Sequence, residues 1–195
     1  MKIIAHRRNT LALLRDTPRE QGVEVDIRSQ GERLVIHHDP FQAGEDFSEW
    51  IAGYAHGTLI LNVKEEGLET RLLAGMAEWG IEDFFFLDQS VPFLVKTARG
   101  GERRCAVRVS EYEPVAGVMA LAGMVDWVWV DCFTRFPIGG AEAATLHGAG
   151  FKLCIVSPEL QGRTDPRAIT EMRALMAGEG IDAAAVCTKT PGLWG

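Results

Sequence analysis

Residues 58–88 read TLILNVKEEGLETRLLAGMAEWGIEDFFFLD. The run 58–64 has strand composition, 68–79 carries apolar residues at helical spacing, and 84–87 is a second apolar run that stops at Asp88. Strand, helix and strand in succession predict a parallel pair joined by a crossover. The pattern continues with helix 91–98, strand 105–109, helix 114–124, strand 127–132, helix 141–147, strand 151–156, helix 166–177 and strand 183–187. Upstream, residues 3–5 and 22–27 supply two earlier strands, and the Gln30-Gly31-Glu32 turn makes 27–36 a hairpin-like excursion. Eight strands alternating with helices predict an α/β fold, a compact (β/α)8 TIM barrel forming one domain over residues 1–195. Such barrels typically need about 250 residues, so this one is stripped down, and an open doubly wound sheet is the alternative.

In a barrel of this kind the carboxyl ends of the strands build the site. The stretch from Ile3 to Phe41 sets His6, Arg7, Glu24, Asp26 and His38 at the ends of three short apolar runs. Residues 3–5 end at His6-Arg7, and residues 34–36 deliver His37-His38-Asp39-Pro40. Between them, 22–27 alternates with period two, so Glu24 and Asp26 share one face. Two carboxylates on one face repel unless a cation lies between them or one takes up a proton. Oxygen donors of this type suit Mg²⁺ or Ca²⁺, and imidazoles beside such an ion can exchange protons with a phosphoester. His37 faces opposite to His38 if the strand persists, which makes it the lesser candidate.

His6-Arg7, Asn9-Thr10, Glu24-Val25-Asp26-Ile27 and Val35-Ile36-His37-His38-Asp39 together resemble the amino-terminal signature of the glycerophosphodiester phosphodiesterase family, within the phospholipase-C-like phosphodiesterases. That signature reads H-R-G, N-T, E-x-D-V and V-x-H-D, and its order and approximate spacing match over the first forty residues. The resemblance implies a phosphoric diester hydrolase in which Glu24 and Asp26 hold a divalent cation. It also implies that His6 and His38 serve as general acid and base, and that Arg7 and Lys64 stabilise charge on the phosphoryl group. Three departures stand out. Arg8 occupies the position of the family's glycine. Asn62 occupies that of the third metal carboxylate, where its neutral carbonyl is the available ligand. Thr188-Lys189-Thr190-Pro191 replaces the family's T-D-x-P. The expected substrate is a small polyol phosphodiester. Arg108 and Lys189, as additional substrate-binding cations, motivate a sugar- or nucleotide-linked headgroup as an alternative, and the missing carboxylate motivates a catalytically silent phosphate-binding barrel.

The bulk composition sets outer limits. With 195 residues, 47% hydrophobic and 24% charged, the chain can bury one sizeable core. A net charge of −7 offers no basic surface for nucleic acid. No apolar run approaches a membrane span, and the chain enters its first strand directly, so a cytoplasmic protein is expected. Cys105, Cys132, Cys154 and Cys187 are scattered singly in strands and are expected in the core. Asn9-Thr10 is expected to cap a helix near 11–15, Trp127 and Trp129 to fill the interior beside Asp131, and Ser157 to be no nucleophile.

Overall fold

In the computed structural model, which describes residues 1–195, the chain packs as two units: Ile4–Gly101, and Met1–Ile3 with Glu102–Gly195. The first strand, β1 (Lys2–Ala5), begins in one and ends in the other.

In the unit of residues 4–101, β1 is followed by helix α1 (Leu11–Asp16), β2 (Gly22–Gln30), β3 (Arg33–Ile36), β4 (Glu45–Asp46), α2 (Phe47–Ile51), β5 (Leu59–Val63), α3 (Glu69–Glu78), β6 (Phe84–Leu87) and α4 (Val91–Arg99). Every residue of β5 and β6 is buried, as expected of parallel strands covered on both faces. β2 lies inside the sheet: it pairs in parallel with β1, Ile4 beside Gly22, and with β5, Asp26 beside Asn62. Its far end turns back through Gly31, at φ 60°, into antiparallel β3. Thr10 caps α1 by accepting the Leu13 amide, and Asp46 caps α2 by accepting that of Ser48. Helix α2 is short, and it buries Phe47, Trp50 and Ile51.

The other unit holds β7 (Ala106–Val109), α5 (Val115–Met119), β8 (Trp127–Val130), α6 (Gly140–Gly148), β9 (Lys152–Val156), α7 (Pro166–Gly178) and β10 (Ala185–Thr188). β7, β8, β9 and β10 pair in parallel in that order. Pro166 at the first turn of α7 and Asp165 capping it give that helix a sharp start. Trp127, Trp129 and all four cysteines are buried, as expected. Across the whole chain, no helix is long and apolar enough to cross a membrane.

The eight predicted barrel strands are present, and within each unit they pair in parallel. β6 pairs with β5, and β7 with β8. The architecture is α/β with a mainly parallel sheet.

Gly22 starts β2 where a side chain has no room: a Cβ there would lie 2.4 Å from the Thr58 carbonyl oxygen and 2.9 Å from Ile4 Cγ1. Gly22→Ala is therefore expected to destabilise the chain by about 1–3 kcal/mol in urea denaturation, since the nearest obstruction is backbone. Wild-type stability would show that β2 shifts freely against β5.

Candidate active site

β2 carries Glu24 and Asp26 on one face, and both carboxylates are buried. Because β1 and β5 flank the strand, their donors must come from neighbouring strand ends. Arg7, just past β1, has a left-handed backbone at φ 49°. That turn lets one residue serve both acids: its amide donates to Glu24 Oε2 at 2.7 Å, and its Nε lies 3.6 Å from Asp26 Oδ2. Arg8 is not left-handed, so nothing in the backbone requires glycine there. Its amide donates to the Glu24 carbonyl, and its own carbonyl accepts the buried Trp50 indole N–H, which ties α2 to the loop.

Asn9 is a site residue that the sequence disguised as a cap. Thr10 alone caps the helix, while Asn9 Nδ2 donates to Asp26 Oδ2 at 2.7 Å and Asn9 Oδ1 accepts the Asp26 amide at 3.0 Å. A two-point grip on one residue fixes the carboxylate's rotamer. Its signal was the position of Asn9, four residues past the end of a strand that pairs with β2.

On the other side, Asn62 on β5 donates through Nδ2 to Glu24 Oε1 at 2.8 Å. Lys64 Nζ hydrogen-bonds Asp88 Oδ2 at 3.0 Å and lies 3.2 Å from Asp26 Oδ1, the latter a charge contact rather than a formed hydrogen bond. Two buried oxygens are thus left without a hydrogen bond, Asp26 Oδ1 and Asn62 Oδ1, on residues that are direct neighbours across β2 and β5. Glu24 registers the shortage of positive charge: burial, then the Asp26 charge, pushes its carboxyl up to about 7 against the opposing Asn62, Arg7 and Lys64 contacts. No group of three or more His, Cys, Asp or Glu side chains is disposed to hold an ion. The oxygen donors that fit a hard cation are the two carboxylates and the Asn62 carbonyl.

His6 Nε2 lies 3.8 Å from Glu24 Oε2, at the inner edge of this cluster. His38 follows β3. Its Nδ1 lies 2.8 Å from Asp39 Oδ1, and its carbonyl accepts both Nε and Nη2 of Arg28. The His38 hydrogen bond holds the Asp39 carboxyl below the usual range. With Nδ1 donating to a carboxylate, Nε2 is the imidazole nitrogen left to take or give a proton. His37 is engaged with the Asp39 backbone instead. His38, Arg7, Asn9 and Thr10 line one cavity of about 520 Å³, and Lys64 and Asp88 line another of about 300 Å³.

The remaining candidates lie in the unit containing residues 102–195. Arg108 donates to the buried Asp131, which also accepts Gln161 Nε2 at 2.6 Å, and Glu113 stands 3.9 Å from the same guanidinium. Lys189 is exposed, and its amide donates to Glu159. Ser157 donates to Glu159 and accepts the Trp194 indole N–H, a structural linkage consistent with its rejection as a nucleophile. His56 and His147 bond backbone carbonyls through Nε2.

Comparison with solved structures gives the class of fold. The chain is similar over its full length to 98% of a glycerophosphodiester phosphodiesterase from Agrobacterium tumefaciens str. C58, with a TM-score of 0.67 and 14% identity. It is also similar over 98% of its length to 84% of a glycerophosphoryl diester phosphodiesterase from Parabacteroides distasonis ATCC 8503, with a TM-score of 0.65 and 13% identity. No protein-family model and no curated protein matches the sequence. The fold is thus like that of glycerophosphodiester phosphodiesterases, and likeness at this identity speaks to fold alone.

The Glu24 shift has a consequence for stability. An acid whose pKa rises from 4.5 unfolded to about 7 folded adds stability that is fully present below 4.5 and is lost as pH rises through 7. In chelator-containing buffer, wild-type stability should fall by on the order of 3 kcal/mol across that window through this group. Glu24→Gln should lack this component and be the more stable protein at pH 8. A stability difference between the two that does not vary with pH would show that Glu24 titrates normally.

Proposed function

We propose that this protein is a metal-assisted phosphodiesterase acting on a small polyol phosphodiester of the glycerophosphodiester type. The observation that carries the reading is the pair of buried oxygens without hydrogen bonds, Asp26 Oδ1 and Asn62 Oδ1, beside a Glu24 carboxylate short of positive charge. Glu24, Asp26 and the Asn62 carbonyl hold the divalent cation, Mg²⁺ or Ca²⁺. When bound, such an ion supplies polarisation of a phosphoryl oxygen.

The protein's own groups do the rest. Arg7 and Lys64, cations on either side of Asp26, receive the non-bridging phosphoryl oxygens and offset their growing negative charge. His6, beside Glu24, and His38, steered by Asp39, exchange protons with the attacking and leaving oxygens. Asn9 positions Asp26 by its two-point grip and touches no reacting atom. The cavity next to His38 and Arg7 receives one ester arm. Arg108 and Lys189 are assigned no step.

Turnover on a panel of small phosphodiesters with added Mg²⁺, Ca²⁺ or Mn²⁺ tests the reading directly. His6→Ala and His38→Ala should each lower kcat by about 10²- to 10⁴-fold with little change in substrate binding. The double variant should lose much less than the product of the two. Wild-type turnover in either single variant would leave a phosphate-binding protein as the better reading. Asn62→Glu gives a second check with two opposite signs. It replaces the donor to Glu24 Oε1 with an acid, so without metal it should lower Tm, while in calorimetric titration it should tighten divalent-cation binding. Unchanged cation affinity would mean that Asn62 is not a ligand.

A further inference from the structure

Arg28 continues the face of β2 that carries the two acids, since alternation puts residues 24, 26 and 28 on one side. Its side chain is only 15% exposed. Nε at 3.1 Å and Nη2 at 2.8 Å both donate to the His38 carbonyl, and Nη1 lies 3.6 Å from Glu65 Oε1. Glu65 is fixed in turn by Ser29, whose amide donates to Oε2 at 3.1 Å. Glu65 therefore meets the charge of Arg28, while two of its N–H groups converge on one carbonyl. A fork of this kind fixes an oxygen from two directions at once, which a single ammonium does not do.

The carbonyl that Arg28 holds belongs to a loop with little packing of its own. Residues 39–43 are exposed, and the loop lines two cavities. His37, His38 and Asp39 border the one of about 520 Å³, while Pro40, Phe41 and Gln42 border one of about 450 Å³ that Arg28 also lines. Beyond its internal bonds, residues 37–43 are tied to the rest of the chain by the His37 amide on the Asp26 carbonyl, at 3.2 Å, and by the Arg28 fork. Both tethers end on β2, and the fork is the one that holds His38 itself. Resting on the acid–base role given to His38 above, we propose that Arg28 is a positioning residue for His38. Its fork fixes the peptide that carries the imidazole, and with it the contact of Nδ1 with Asp39, so that Nε2 is presented in the register of the strand that bears Glu24 and Asp26. Arg28 touches no reacting atom.

The test is steady-state turnover on the fastest substrate of the phosphodiester panel, for wild type, Arg28→Lys, Arg28→Met, His38→Ala and the Arg28→Met, His38→Ala double variant. Lysine and methionine keep the apolar stem, and thermal melts verify that each variant folds. The expected kcat is about tenfold lower in Arg28→Met and about threefold lower in Arg28→Lys, which keeps the charge without the fork, with KM changed by less than about twofold. On the His38→Ala background, Arg28→Met should cost less than about twofold more, because Arg28 acts through His38. Imidazole nitrogen NMR at alkaline pH, where the ring is neutral, adds a readout that a general loss of stability does not move. His38 should keep its proton on Nδ1 in wild type and share it between both nitrogens in Arg28→Met. Wild-type kcat or an unchanged tautomer in Arg28→Met overturns this role and leaves the phosphodiesterase reading standing. So does a loss carried by KM, since the guanidinium would then bind substrate, or an equal loss with and without the His38 imidazole. Absence of wild-type turnover on every phosphodiester overturns the phosphodiesterase reading and this role with it.

Discussion

Burial of two carboxylates on an interior strand is the constraint from which the rest of the site follows. Glu24 and Asp26 point the same way from β2, and the strands on both sides of β2 keep water from reaching them laterally. Desolvating one ionised carboxylate costs several kcal/mol and desolvating two in proximity costs more, so compensating donors are obligatory. They come from every neighbouring strand end. Arg7 and Asn9 stand beyond β1, Asn62 is on β5, and Lys64 is just past it. Even so the compensation is incomplete. Glu24 holds its proton up to about neutral pH, and two oxygens of the cluster remain without hydrogen bonds. A structural charge cluster is normally satisfied, and this one keeps a deficit.

Two departures from easy backbone geometry serve that cluster. Arg7 and Asp88 both adopt positive φ without being glycine, and both sit immediately beyond or near the ends of strands that bracket the site. The conformations carry a cost of order 1–2 kcal/mol each, which the fold sustains because each turn brings charge to Asp26 or to its neighbour Lys64. The third such residue, Phe41, is fully exposed in the loop after His38.

The strand ends of the other unit show the contrast. There the charges are met mainly by one another and by the backbone. Asp131 takes Arg108 and Gln161. Glu111 accepts three amides and a hydroxyl from the 133–135 loop, and although burial opposes it, the Arg135 and Thr134 amides hold its carboxyl down to about 2. Glu159 gathers Ser157, Thr188 and Lys189, which lower its carboxyl against the effect of burial. These are acids held in their charged form by their own loops. Such groups stiffen a fold. The Glu24 carboxyl, by contrast, is pushed up to about 7 by burial and the Asp26 charge.

Sequence by itself determined the elements and the two carboxylates. Periodicity of two placed Glu24 and Asp26 on one face, and apolar runs bounded by turn residues located all eight parallel strands, because these signals are local and follow from backbone geometry. It also placed His6, Arg7, His38, Asn62 and Lys64 at or near strand ends, since strand ends can be read wherever an apolar run stops. The tertiary structure decided the rest. Asn9 looked like half of a helix cap until strand pairing set it against an acid seventeen residues away. Asp88 belonged to the wrong face by alternation, and only a left-handed residue brought it to Lys64. Arg108 found Asp131 as its partner only once β8 was set beside β7. In each case the deciding quantity was which partner satisfies a charge, and a charge has no partner until the chain has folded.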